Sequence, residues 1–165
     1  MSTLQDAAAE ADALAKSGDE RALAELRAQW DEELEAAARS SDDRNRAHAF
    51  RAIGHFRFRQ KIELLRRGLE DDSPAVRGSA LLSLESLAKD HPKVVNDVRP
   101  LLHEMVSNDG NEAVRRLAVV ALRNGSSRPD TVRILEAVAG NDEQPRELRE
   151  VATKIAQGLR RKGRG

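Results

Sequence analysis

Asp71-Asp72-Ser73-Pro74-Ala75-Val76-Arg77-Gly78-Ser79-Ala80-Leu81-Leu82-Ser83-Leu84 reads as a helix start followed by one buried helical face. An Asp or Ser side chain can accept the backbone N–H groups that a first turn leaves unpaired, and Pro74 suits that turn because its missing N–H costs nothing there. Val76, Ala80, Leu84 and Leu87 then follow at steps of three and four, so they share a face. The phrase returns as Asp109-Gly110-Asn111-Glu112-Ala113-Val114-Arg115-Arg116-Leu117-Ala118, with Leu122 in the place of Leu84. A looser copy begins at Asn141-Asp142 and runs through Leu148-Arg149, Ala152 and Ala156. An upstream copy holds Asp42-Asp43, Asn45-Arg46, Ala49 and Ile53. Aligned on Arg46, Arg77, Arg115 and Arg149, the copies are 31, 38 and 34 residues apart. That spacing predicts a helical repeat protein, because a lone helical hairpin cannot bury its apolar face and must stack on a neighbour.

The order Asp, Pro, Val-Arg, then Ala and Leu on one face resembles the HEAT repeat. The short period, with Ala52-Ile53-Gly54 running into the next helix, is most similar to the bacterial variety named after the phycobilin lyases. The resemblance covers about residues 19–160. The signature patterns of tetratricopeptide and ankyrin repeats are both missing. It implies an all-α, right-handed solenoid of about four helical hairpins plus an N-terminal helix. The family is mainly one of scaffolds and adaptors, with DNA glycosylases and lyases as minorities, so the fold constrains function weakly.

Residues 1–160 are expected to form one repeat domain, with acidic helices over 3–40 and repeats over 19–160, and 161–165 are expected to be a basic, disordered tail. The hairpins pair residues 19–40 with 43–56, 58–69 with 73–88, 92–106 with 111–124, and 130–139 with 145–160. Pro100 predicts a kink in 92–106 or its division into two helices. Asn124 to Pro129 is a loop.

The 165 residues carry no net formal charge, but the distribution is uneven. Residues 1–43 sum to −8, residues 44–67 to +7, 68–143 to −4 and 144–165 to +5. Local fields therefore decide what approaches the surface. There is no cysteine, which excludes disulfides and thiolate metal sites. No apolar run approaches the ~20 residues of a membrane span and no secretory leader is evident, so a cytoplasmic protein is expected, as a monomer or weak oligomer.

No catalytic constellation is complete. His48 and His55 lie seven apart rather than four, which argues against a metal site, and no phosphate-binding glycine loop is present. Ser73, Ser79, Ser83 and Ser86 follow repeat positions with no base fixed beside them. Neither a metal nor a cofactor is expected, and an enzymatic role would rest on fold analogy alone. The repeated Asp and Arg are read as structural: in HEAT-like proteins equivalent residues often link neighbouring repeats by hydrogen bonds, and Asp71, Asp109 and Asp142 can also cap helices.

Two surfaces remain as candidates. In HEAT-like proteins the second helices line the concave side. Arg51, Leu82, Arg116, Val120, Arg123 and Lys154 stand there, so a protein segment held on that face is the favoured reading. Leu82 and Val120 are apolar where a solvated face would be polar. They could equally be drawn half under cover by Leu81 and Val119. The second candidate is the basic run of Arg44, Arg57, Arg59, Lys61, Arg66 and Arg67, interleaved with Phe50, Phe56 and Phe58. With the tail Arg160, Arg161 and Lys162, it could contact nucleic-acid phosphates, with Phe58 free to stack. The acidic residues of 1–43 could instead neutralise it.

Overall fold

The computed structural model describes residues 2–164. Among the described residues there are ten α-helices, two short 3-10 turns and no strand, as the all-α expectation requires. The chain divides into two compact units, Met1–Leu87 and Ala88–Gly165, where the repeat pattern alone suggested one continuous domain.

The first unit contains α1 (Leu4–Ser17), α2 (Glu20–Ala38), α3 (Asp43–His55), α4 (Ile62–Leu69) and α5 (Pro74–Ala88), the last reaching one residue past its boundary. A 3-10 turn, Arg59–Lys61, leads into α4. Local chemistry sets the ends. Thr3 and Asp6 form a reciprocal capping box at the start of α1, and Gly18 closes that helix at φ 80°, in the left-handed region. The Asp19 carboxylate caps α2 by accepting from Ala22 N–H at 3.1 Å. Ala7, Ala8 and Ala11 are buried on α1, which packs against both α2 and α3. Leu23, Leu26, Trp30 and Leu34 are buried along α2 at the three- and four-residue steps read from the sequence.

The α3–α5 seam is tighter than ordinary helix packing. Ser83, fully buried on α5, accepts from Gly54 N–H at 2.9 Å and faces the Phe50 and Arg51 carbonyls of α3. Its hydroxyl thus sits inside the backbone ladder of α3. Gly54 makes this possible, since a Cβ there would lie 2.8 Å from the Ser83 Cα. Val76 and Leu84 are fully buried beside this seam on α5.

The second unit contains α6 (Lys93–Asp97), α7 (Arg99–Asn108), α8 (Glu112–Ala121), α9 (Pro129–Ala139) and α10 (Arg146–Arg164), with a 3-10 turn at Leu122–Asn124. The expected division at Pro100 is present, because α6 and α7 are separate and Pro100 stands in the first turn of α7. α7 packs on α8 and α9, and α10 packs on both of them. Val114, Ala118, Val119 and Leu122 supply the buried face of α8 and its final turn. One boundary is corrected. The residues expected as a disordered tail continue α10 through Arg164, and Gly165 lies outside the described residues. Leu159 is buried beneath them, and Lys162 Nζ donates to Gly125 O at 2.7 Å, which ties the last turns down.

The repeat phrase has one structural meaning in all four copies. A side-chain oxygen of Asp42, Asp71, Asp109 or Asn141 accepts from the N–H two residues on, at 2.9, 2.9, 2.9 and 3.0 Å. The arginine that follows then donates to a carbonyl of the same turn. Arg46 reaches Ser40 O at 3.0 Å, Arg77 reaches Asp71 O at 2.9 Å, Arg115 reaches Asp109 O at 2.8 Å and Arg149 reaches Gln144 O at 3.0 Å. This turn is not the helix cap expected of Asp109 and Asp142: Asn111 caps α8, accepting from Val114 N–H at 3.0 Å. In the fourth copy Asn141 forms the turn, while the Asp142 carboxylate stands in solvent, 3.9 Å from Arg149. Arg46 also links repeats, gripping both oxygens of Asp71 at 3.0 Å.

Leu84→Ala should lower the unfolding free energy of the first unit by about 2–5 kcal/mol, as a fully buried truncation. Gly54→Ala forces the α3–α5 seam apart and should cost ~1–3 kcal/mol. Gly158→Ala, where an added Cβ meets nothing within 4 Å, should instead gain ~0.5–1 kcal/mol of helix stability. Urea denaturation followed by circular dichroism checks all three. A neutral Gly54→Ala would show that the seam can open without loss.

Candidate functional site

The second helices of the hairpins carry the expected interaction positions, and the two units treat them differently. In the second unit, α8 and α10 lie side by side with two adjoining hollows between their outer faces. Val120 lines both. The hollow toward the helix starts, about 640 Å³, is bordered by Glu112, Arg116, Leu117 and Glu147. The other, about 500 Å³, is bordered by Arg123, Val151, Lys154, Ile155, Gly158 and Lys162. Four of the six favoured positions, Arg116, Val120, Arg123 and Lys154, therefore fall along one continuous face. The register explains it. Val119 is fully buried, so its neighbour Val120 is held half-buried at the edge of the core, while Arg116 and Arg123 project to solvent.

In the first unit, Leu82 is 39% exposed, the one large apolar side chain so exposed among the described residues. Leu81, beside it, is buried, which is the same register seen at Val119 and Val120. Arg51 behaves differently. It lies half-buried in a hollow of about 330 Å³ between α1 and α3 that also takes in Gln5, Asp12, His48 and His55. Burial lowers the pKa of its guanidinium, and its Nη1 atom is enclosed with no hydrogen-bond partner.

The basic run does not form one open surface. Arg57 adopts a left-handed backbone at φ 53° just past the end of α3. Its guanidinium meets Asp12 of α1 at 3.1 Å and donates to Gly54 O at 2.7 Å. Lys61 is held between Asp31 and Glu35 of α2 at 2.5 and 2.7 Å, with the Phe58 ring 5.0 Å beneath it. Burial opposes the Lys61 charge, but the two carboxylates outweigh it and raise its pKa. Phe58 is only 8% exposed and cannot stack on a base, so that part of the nucleic-acid expectation is corrected. Arg44, Arg59, Arg66 and Arg67 are exposed, with Arg66 4.0 Å from Glu63. The acidic N-terminal helices thus pair with Arg57 and Lys61.

Ser83 is buried in the α3–α5 seam, and Ser73 Oγ donates to Asp43 at 3.0 Å. A polar cluster outside the repeat register lies in the second unit. Arg99, 5% exposed, donates to Thr131 Oγ1 at 2.8 Å and Ser126 O at 3.1 Å and also to Asn96, while His103 Nε2 lies 2.8 Å from the same threonine oxygen. The fully buried Thr131 is closed to a substrate, so the cluster fastens the 125–128 loop and the start of α9 to α7. Its trace in the sequence is Arg99 and His103, four residues apart on one face of α7. Among the described residues no group of three His, Asp or Glu side chains could hold a metal, and no helix is long and apolar enough to cross a membrane.

Residues 31–104 match the sequence model of the family described as HEAT repeats. No curated protein matches the chain.

The histidines predict a pH response. Burial lowers the pKa of both His55 and His103 below the ordinary 6.5, against the pull of Asp12 and Asp130 respectively. Each is therefore harder to protonate folded than unfolded, and stability should fall as pH drops below about 6.5. Asp12 acts lower on the scale. Burial raises its carboxyl, but hydrogen bonds from Lys16 and Arg57 outweigh this and hold it at about 2, so its contribution persists until pH falls through the window from 3.8 to about 2. Melting temperatures from pH 7.5 to 5 should decline, and His55→Gln with His103→Gln should flatten the decline. A double variant as pH-sensitive as the parent would refute this assignment.

Proposed function

For a HEAT-like repeat protein of this build, we propose a non-catalytic scaffold or adaptor role, in which the α8–α10 face holds a segment of another protein. The observation that carries this reading is the run of two hollows sharing Val120, with apolar floors and charged borders, on helices whose opposite faces complete the core. An apolar strip within a charged border is what a peptide with alternating anchors requires. Arg116, Val120, Arg123 and Lys154 would make the contact. Leu82 offers a separate apolar contact on the first unit, and Arg51, half-buried beside Asp12, would have to rotate outward to join one.

The nucleic-acid reading keeps Arg44, Arg59, Arg66 and Arg67 as exposed cations but loses Phe58 as a stacking platform. Neutralising about 4 phosphates would give a log–log salt slope of roughly −3 to −4. Labelled duplex and single-stranded oligonucleotides should show no binding at physiological salt that Arg44→Glu, Arg59→Glu, Arg66→Glu and Arg67→Glu together abolish. Micromolar binding removed by those changes would transfer the function to the basic run.

For the scaffold itself, Val120→Asp should leave helicity and cooperative melting intact while removing proteins that the immobilised parent retains from nuclease-treated extract. Leu82→Asp tests the first unit in the same way. If Val120→Asp melts the second unit, Val120 is core and the face loses its anchor.

A further inference from the structure

Gly158 lies well inside α10, a 19-residue helix, where neither backbone conformation nor packing demands a glycine. Gly18 is the glycine with positive φ, and a Cβ built on Gly158 meets no atom within 4 Å. A glycine at such a place weakens the helix without relieving any contact inside the chain. What it does is leave space open, because Gly158 borders the hollow of about 500 Å³ between α8 and α10. Volumes of ~300–1,000 Å³ are those of sites that enclose a ligand group.

The charge around this hollow has one sign. Arg123, Lys154 and Lys162 border it, and no carboxylate does. Lys162 donates to the Gly125 carbonyl at 2.7 Å, a neutral acceptor that leaves its charge in place. The adjoining hollow differs, with Glu112 and Glu147 facing Arg116. Cations in a last turn can be explained by the helix dipole, which favours them there. That explanation covers Lys162 but not Lys154, which is exposed and more than two turns from the end. Val120, Val151 and Ile155 provide the apolar floor.

Resting on the scaffold reading of this face, we propose that its occupant is an acidic amphipathic helix of a partner protein. A large apolar side chain of that helix enters the space above Gly158, and flanking Asp or Glu side chains meet Lys154 and Lys162. From Val151 to Lys162 the border spans ~16 Å of helix, the length of about three turns of a partner helix with anchors three and four residues apart.

The test is selection of a naive phage-displayed library of random 16-residue peptides on the full chain, followed by fluorescence anisotropy of the enriched peptides. Enriched sequences should carry Leu, Phe or Trp flanked by Asp or Glu. Gly158→Phe, which fills the hollow from a position that touches nothing, should weaken them about tenfold or more, as should the exposed Lys154→Glu, while Gly158→Ala should not. Circular dichroism of each variant separates blocked binding from lost fold. If Gly158→Phe proves unfolded, Lys154→Glu and the salt dependence decide alone. Enrichment of basic or uncharged peptides that Val120→Asp abolishes would retain the docking face and overturn the acidic occupant. Failure to enrich any peptide, or enrichment insensitive to Val120→Asp, Gly158→Phe and Lys154→Glu alike, would overturn both. Displacement of the enriched peptides by a single-stranded oligonucleotide, but not by polyglutamate, would assign the hollow to phosphates instead.

Discussion

A helical hairpin of about thirty residues has more apolar face than it can cover by itself, and each unit of this chain is built around that constraint. The covering element must come close, and closeness is governed by small side chains. On α1 the buried residues are alanines, which lets the helix lie against α2 and α3 together. At the α3–α5 seam the approach is closer still, with Gly54 admitting Ser83 into the backbone ladder of α3. A buried hydroxyl costs free energy unless its bonds are made. Here the N–H of Gly54 and the carbonyls of Phe50 and Arg51 supply them, so the seam is held by a polar contact inside an apolar interface.

Charge serves the same architecture before it serves anything else. The four repeat arginines turn back onto carbonyls of the turns that precede their helices, giving those backbone groups a partner. Arg46 does this and grips Asp71 as well, lowering the pKa of that carboxyl against the opposing effect of its burial. Farther along, Arg57 and Lys61 face the carboxylates of α1 and α2. The +7 stretch and the −8 stretch of sequence thus partly cancel within one unit. In the second unit Arg146, Arg149 and Arg160 of α10 face Glu150, Asp142 and Glu136, while Lys162 is bound to a carbonyl.

The lining of the hollow between α8 and α10 nevertheless holds Lys154 and Lys162 and no carboxylate. Charge density in a sequence is not charge density at a surface, because partners distant in the chain remove part of it. Apolar exposure follows the same logic in reverse. Val120 and Leu82 are not stray surface residues. Each sits one position beyond a fully or nearly fully buried neighbour, at the rim where a helix passes from core to solvent. Such rims are where a repeat scaffold can extend its core into a partner.

The sequence by itself determined the helices, the repeat register and the core. Val76, Leu84, Val114 and Leu122 are buried as their three- and four-residue spacing demands, and Pro100 divides a helix because its ring cannot join the backbone ladder. These are local consequences of helical periodicity and of proline geometry. Only the tertiary structure decided which charges are paired, since Asp12 and Arg57 are neighbours through the packing of α1 on α3, not through spacing in the chain. It likewise buried Phe58, extended α10 through Arg164, and gathered Arg99, Thr131 and His103 around a loop. The hollow beside Gly158 belongs to this second kind. A glycine in a helix reads in sequence as a weak point, and only the placement of α8 against α10 makes it an opening.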